Sequence, residues 1–329
     1  MHGISPTREA TVRVGAPTGG HASRLGDRLF GGAARGAGLL VVTLVALIAA
    51  FLLYRAVPAM AHNEANFLTS SSWSVTGAHP RFGIARMLWV TVATSVIALF
   101  LAIPLGICVA LFITQYAPRR LAGLAAGLVD LLAAVPSIVF GIWGAYVVGP
   151  HFEPVQHALQ SALAWCPLFA PSTISGASTI VFVGVVLAVM VLPIVTALSR
   201  EAFAQTPTAH REAALALGAT KWEMIRTTVL PFGRPGVISA SMLGLGRALG
   251  ETVAVMIILS AVPEGSPWSW SLLGGGETFA SKIANGAAEF DSPQKTGAYI
   301  AAGLVLFVLT FVVNAVARAM IQRRKAFTE

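Results

Sequence analysis

The chain has 329 residues, of which 56% are hydrophobic and only 11% charged, whereas soluble globular chains carry about 25% charged residues. That composition excludes an ordinary water-soluble enzyme or binding module and points to a membrane protein. The net charge of +8 raises nucleic acid as a partner, but the basic residues flank long apolar runs, where they report orientation in a bilayer instead.

Residues 1–28 are rich in Gly, Ser, Thr, Pro and Arg without apolar periodicity, and are expected to form a disordered cytoplasmic tail. Residues 29–329 then read as an all-α, polytopic domain. Six apolar runs, at 36–54, 87–117, 131–149, 177–199, 236–260 and 297–317, each approach the roughly 20 residues that cross a bilayer as a helix. Six transmembrane helices are therefore expected. The first run, with Ala59, Met60 and Ala61 after it, has some features of a secretory signal, but it is at the upper length limit of a signal core and is expected to stay as a span. With the N-terminus inside, sixteen of the 22 Lys and Arg residues fall on the cytoplasmic side, five (Arg55, Arg81, Arg86, Lys282 and Lys295) fall outside, and Arg247 lies within a span. This bias places both termini and the 200–234 loop in the cytoplasm.

Asp130 opens the third run near the cytoplasmic side, as a carboxylate that caps or snorkels. Pro136 and Ser137 mark an irregularity there, because proline removes a backbone donor and frees a carbonyl that suits a gate. Cys108 and Cys166 are too few for a disulfide framework. The 150–175 and 263–296 loops are longer than ordinary connections and are expected to form an outer rim.

The 200–234 loop is polar and amphipathic. Thr206 as cap, Pro207 as first helical residue and Gly218 as stop delimit one short helix. Thr220 and Glu223 have capping-box spacing and open a second, which Pro231 is expected to terminate. Ala213, Ala214 and Leu217 form a small apolar face on the first helix, and Trp222, Ile225 and Val229 a stripe on the second.

The fifth run carries Arg247 and Glu251 four residues apart, so on one continuous helix they share a face and pair. Ionisable residues inside a span are functional candidates by default. Gly246 and Gly250 read as a small-residue face for a close helix contact. GLGRALG at 244–250 has the wrong spacing for a dinucleotide fingerprint, no G-x-x-x-x-G-K-[ST] loop occurs, and no His, Cys, Asp and Glu cluster has metal-ligand spacing. Neither a nucleotide cofactor nor a metal is expected in this chain, and no catalytic constellation supports an enzyme.

The loop resembles the EAA loop of ABC importer permeases, whose pattern is Glu-Ala-Ala, three residues, Gly, nine residues, Ile, one residue, Leu-Pro. Glu212, Ala213, Ala214, Gly218, Leu230 and Pro231 fall in register, with Thr228 in place of Ile and Val229 beside it. LLAAVPSIVFGIWG at 131–144 and MLGLGRALGETVAV at 242–255 are similar to the PstC-type permease of the phosphate-specific ABC importer, over a stretch from about residue 26 onward. The resemblance implies the type I ABC importer permease architecture in the plasma membrane of a prokaryote. It implies a second related permease, an external phosphate-binding protein and two ATPase subunits that bind ATP and Mg. Arg211, Glu212, Ala213, Ala214, Gly218 and Lys221 would dock on the ATPase. Arg247, Glu251, Ser137 and Asp130 would serve the phosphate path, with Glu251 holding Arg247 at rest. The sister permease of the same importer, a permease for another oxyanion, and a gradient-driven secondary transporter or channel are the competing readings.

Overall fold

The computed structural model describes residues 24–77, 79–171 and 176–325. Most of the expected tail lies outside the described residues, but helix α1 (Arg24–Ala61) begins inside it, with Asp27 in its first turn, where a carboxylate favours the positive end of the helix dipole. Residues up to 51 and residues from 52 on form two compact units. In the first, α1 exposes Leu40, Leu44 and Leu47, as befits a helix with apolar surroundings.

The second unit starts with the end of α1. A two-residue hairpin, β1 (Trp73–Ser74) and β2 (Arg81–Phe82), pairs antiparallel with Trp73 opposite Phe82. Asn63 fixes it to α1's end, because its side chain both donates to the Phe82 carbonyl (2.7 Å) and accepts from the Phe82 N–H (3.0 Å). Helix α2 (Ala85–Leu111) continues through a π-helical turn at Phe112–Tyr116. Helices α3 (Arg119–Ala133) and α4 (Ser137–Trp143) follow, bent by 90° at the break between them. Pro136 is extended (φ −59°, ψ 140°) and opens α4, since its ring disfavours helix in the residue before it. The expected third run 131–149 is thus not straight, because its first residues belong to α3.

Helix α5 (Glu153–Ala162) lies in the following loop, and α6 (Ile180–Ala204) is the buried centre of the unit. After α7 (Thr208–Ala216), the chain forms α8 (Lys221–Met224), a π-helical turn at Ile225–Val229, and α9 (Leu230–Leu249). Short α10 (Val253–Ile258) and α11 (Phe279–Asn285) lead into α12 (Pro293–Lys325). Four helices, Gly26–Ala61, Ala85–Tyr116, Ile180–Ala204 and Pro293–Ala319, are long and apolar enough to cross a membrane, and the α3–α4 pair makes a fifth if its two arms are one bent crossing. The 236–260 run is interrupted between Leu249 and Val253.

Helix α6 packs against α2 on one side and α9 on the other. The α9 contact is antiparallel, because Gly236 meets Ala202 whereas Gly244, further along, meets Val191 and Val195. These glycines set the helix spacing. Among the described residues no other helix comes within 4 Å of a β-carbon placed at Gly246 or Gly250, the pair expected as the close-packed face. A β-carbon at Gly244 would stand 2.7 Å from Val191 Cγ1, so Gly244→Val is expected to destabilise the protein by about 1–3 kcal/mol, as overpacking does. Gly246→Ala, in open space, should leave the thermal unfolding midpoint in detergent within a degree or so of the parent.

Candidate functional site

The break after α9 decides how the fifth run presents its charges. Gly250 closes the helix with its N–H on the Gly246 carbonyl (3.3 Å), and Glu251, only 8% exposed, turns forward to accept the Ala254 N–H at 3.1 Å. Glu251 therefore caps α10. Among the described residues Arg247 and Glu251 form no ion pair, because the helix that would place them on one face ends at Leu249. The Arg247 Nε–H is instead buried without a partner.

Arg247 lines an open groove of about 640 Å³ between α6, α9 and α12. Ile194 and Gly246 contribute apolar and open wall, and Ser239, Asn314 and Arg318 contribute polar groups. Among the described residues no Asp or Glu lines it. Ser239 donates to the Pro235 carbonyl one turn earlier at 2.9 Å, the back-bond that serine makes within a helix. Sequence reasoning found Arg247 but missed Ser239, Asn314 and Arg318. Arg318 entered only as one of the basic residues that set orientation, and nothing local marks α12 as the opposite wall.

Asp130 and Ser137 do not line this groove. Both Asp130 oxygens lie 3.4 Å from Arg200 Nη2, with Asp130 half exposed, so the pair is a surface tie between α3 and the end of α6 worth about 0–1 kcal/mol. Ser137 is the first residue of α4, at the 90° bend.

The polar loop follows its sequence closely at the centre and departs from it at both ends. Pro207, extended at φ −56° and ψ 134°, is the cap and Thr208 the first helical residue, one position later than the sequence suggests, while the Thr206 hydroxyl is buried without a partner. Gly218 has φ +87°, a left-handed conformation that only glycine adopts without strain. Its N–H reaches the Leu215 carbonyl (3.0 Å) and the Ala219 N–H reaches that of Ala214 (3.2 Å), closing α7. The capping box is complete: Thr220 Oγ1 accepts from the Glu223 N–H (3.3 Å), and Glu223 Oε2 accepts from the Thr220 N–H (2.8 Å) and hydroxyl (2.7 Å).

Pro231 does not end the second helix. The π-helical turn just before it, where the Leu230 N–H bonds to the Ile225 carbonyl, widens the ladder and lets the proline pass. Residues 221–249 are consequently one helical rod, with the polar loop at one end and Arg247 at the other. Met224, Ile225 and Val229 bury its base against Ala110, Leu111 and Phe203, with Ala214 packed alongside. Lys221 Nζ lies 4.5 Å over the Tyr116 ring. Trp222, expected in the same stripe, is 55% exposed. Arg211 is half-buried, whereas Glu212, Ala213 and Leu217 are exposed, so α7 presents a free outer face.

Residues 102–326 match the family of binding-protein-dependent transport system inner membrane components. A phosphate transport system permease protein PstC 2 of Mycobacterium tuberculosis is 54% identical over 301 residues, covering 91% of this chain and 92% of that one. The PstC protein of Mycobacterium leprae is 56% identical over 309 residues, covering 93% and 96%. The chain belongs to this permease family, and within it to the PstC type. Among solved structures, the inward-facing MetNI methionine ABC transporter matches with a TM-score of 0.52 at 18% identity over 73% of this permease and 95% of that chain. An alginate ABC importer matches at 0.51 and 17% over 72% and 78%. These two share the fold of the permease.

The Thr220 N–H and hydroxyl hold the Glu223 carboxyl below the usual carboxylate range. A carboxylate depressed by folding stabilises above its unfolded pKa and loses that contribution as pH falls through its folded value. Amide-exchange protection across 221–224 is therefore expected to fall on acidification below about pH 4. Glu223→Gln, which keeps an acceptor that does not titrate, should remove that pH dependence. Unchanged acid dependence in this variant would place the sensitive group elsewhere.

Proposed function

We propose that this chain is a permease subunit of an ATP-driven importer of inorganic phosphate, and that the groove at Arg247 is its half of the translocation path. The observation that carries this reading is an arginine whose Nε–H has no hydrogen-bond partner and which lines a groove where, among the described residues, no carboxylate takes part. Arginine's planar fork suits phosphate oxygens, and a charge kept in apolar surroundings without a counter-ion gains most when an anion arrives. The PstC proteins of the two mycobacteria are phosphate transport permeases by name, which supports phosphate as the cargo.

Six crossings complete the architecture: the four long helices, the bent α3–α4 pair, and the interrupted α9–α10 pair. With the polar loop in the cytoplasm, Arg247 stands about 17 Å along α9 from Gly236, near the middle of a core about 30 Å thick. A second, related permease covers the open side of the groove, lipid surrounds the rest, and an external phosphate-binding protein delivers the anion to the outer rim. Two ATPase subunits, which hold ATP and Mg, serve the importer, and one of them docks on α7 through Arg211, Glu212, Ala213, Ala214 and the Gly218 turn, near Lys221. The 221–249 rod carries their movement to Arg247, while Glu251 holds the break, and Asp130 and Ser137 the bend, in place. The chain itself performs no covalent step.

In proteoliposomes containing the assembled importer, Arg247→Gln is expected to lower ATP-driven phosphate uptake at least tenfold, the equivalent of one lost charge-assisted hydrogen bond of about 1.5 kcal/mol or more, with assembly retained. Near-normal uptake by assembled Arg247→Gln would remove the arginine from the path. Uptake that persists with a catalytically dead ATPase would point to a gradient-driven transporter.

The coupling face makes a separate prediction. Glu212→Lys reverses a charge on the exposed face of α7, and Gly218→Leu forces a side chain into φ +87° at a cost of about 1–2 kcal/mol. Both variants should insert and retain basal ATP hydrolysis by the partner while phosphate-stimulated hydrolysis falls. Full stimulation in both would exclude α7 as the coupling element.

A further inference from the structure

The groove holds a second arginine. Arg318 lies on α12, the wall opposite α9, and lines the same opening as Arg247. Asn314 precedes it by four residues on the same helix and also lines the groove, as the i, i+4 spacing requires of one helix face. Among the described residues neither arginine forms an ion pair. Two like charges that line one groove repel one another, and among the described residues no lining carboxylate relieves that repulsion. An anion between them does.

We propose that Arg318 is a second anion-handling residue, which takes phosphate from Arg247 toward the cytoplasmic mouth, with the Asn314 amide donating between the two. This rests on the reading of Arg247 as part of the path. Height along the helices fits the order. Gly297 of α12 packs on Ala59 and Arg55 at the outer end of α1, and Arg318 stands about 32 Å further along α12, a full membrane thickness inward. Arg247 stands near mid-depth. Arg318 is exposed and lines the groove, so its guanidinium is open to an anion that leaves toward the cytoplasm. Two stations also address a kinetic constraint: a single tight site binds but does not release, whereas successive weaker sites pass an ion along.

The test uses the whole importer in proteoliposomes, with uptake normalised to assembled complex. Arg318→Gln is expected to lower the maximal rate of phosphate uptake about tenfold without changing the half-saturating external phosphate, because capture occurs outside. Arg318→Lys, which keeps the charge, should recover most of the rate. An anchoring role would leave Arg318→Gln at the parental rate once assembled, and that result overturns the proposal. Arg247→Gln run in parallel separates the two readings: if it is inactive while Arg318→Gln is normal, only the second station falls, and if both are normal the path itself lies elsewhere. Should Arg318→Gln fail to assemble, Asn314→Cys, which keeps Arg318, in a background without Cys108 and Cys166 gives an independent measure. Excess inorganic phosphate on the cytoplasmic side is expected to slow its modification by an anionic thiol reagent several-fold, and an unchanged rate would overturn the proposal.

Discussion

A single helical rod, residues 221–249, gives the rest of the structure its meaning. A proline near its middle ought to end it, and the π-helical turn at Ile225–Val229 is what carries the ladder past Pro231. The base of the rod is fixed by burial of Met224, Ile225 and Val229, and its shaft by Gly236 and Gly244 against α6. No break in the helix separates the polar loop from the groove. The turn lies on the other side of the loop's second helix, at Gly218, whose left-handed backbone lets α7 and α8 meet at an angle.

At its far end the rod stops where an uninterrupted span would have continued. Glu251 is drawn into the break to satisfy the Ala254 N–H, one of the donors that any helix start leaves open. That one hydrogen bond changes the electrostatics of the site. The Glu251 carboxylate is turned to the α10 backbone and away from an ion pair, and among the described residues Arg247 has no counter-ion within salt-bridge distance. The same break separates the roles of two residues four apart in the sequence: Arg247 belongs to the groove and Glu251 to the backbone that shapes it.

Asp130 illustrates how position outweighs residue type. A carboxylate within a membrane protein invites a place on the path of the transported ion, yet this one meets Arg200 at the surface between α3 and α6. The 90° bend after α3 explains why. It turns the 119–133 segment out of the line of α4, and the carboxylate with it.

What the sequence determined by itself is local or compositional. The apolar runs, the basic bias, the Thr220–Glu223 capping box and the Gly218 turn each depend on residues within a few positions of one another, where backbone geometry leaves few choices. The EAA spacing and the 131–144 and 242–255 motifs identified the family for the same reason, since they are contiguous strings. Only the tertiary structure decided that Pro231 would be passed, that Glu251 would cap and not pair, and that Gly236 and Gly244 would take the close contacts expected of Gly246 and Gly250. The last of these turns on which face of α9 meets α6. The groove is the clearest case, because its walls come from α6, α9 and α12, and the chemistry of Arg318 depends on a neighbour on another helix that no short stretch of sequence contains.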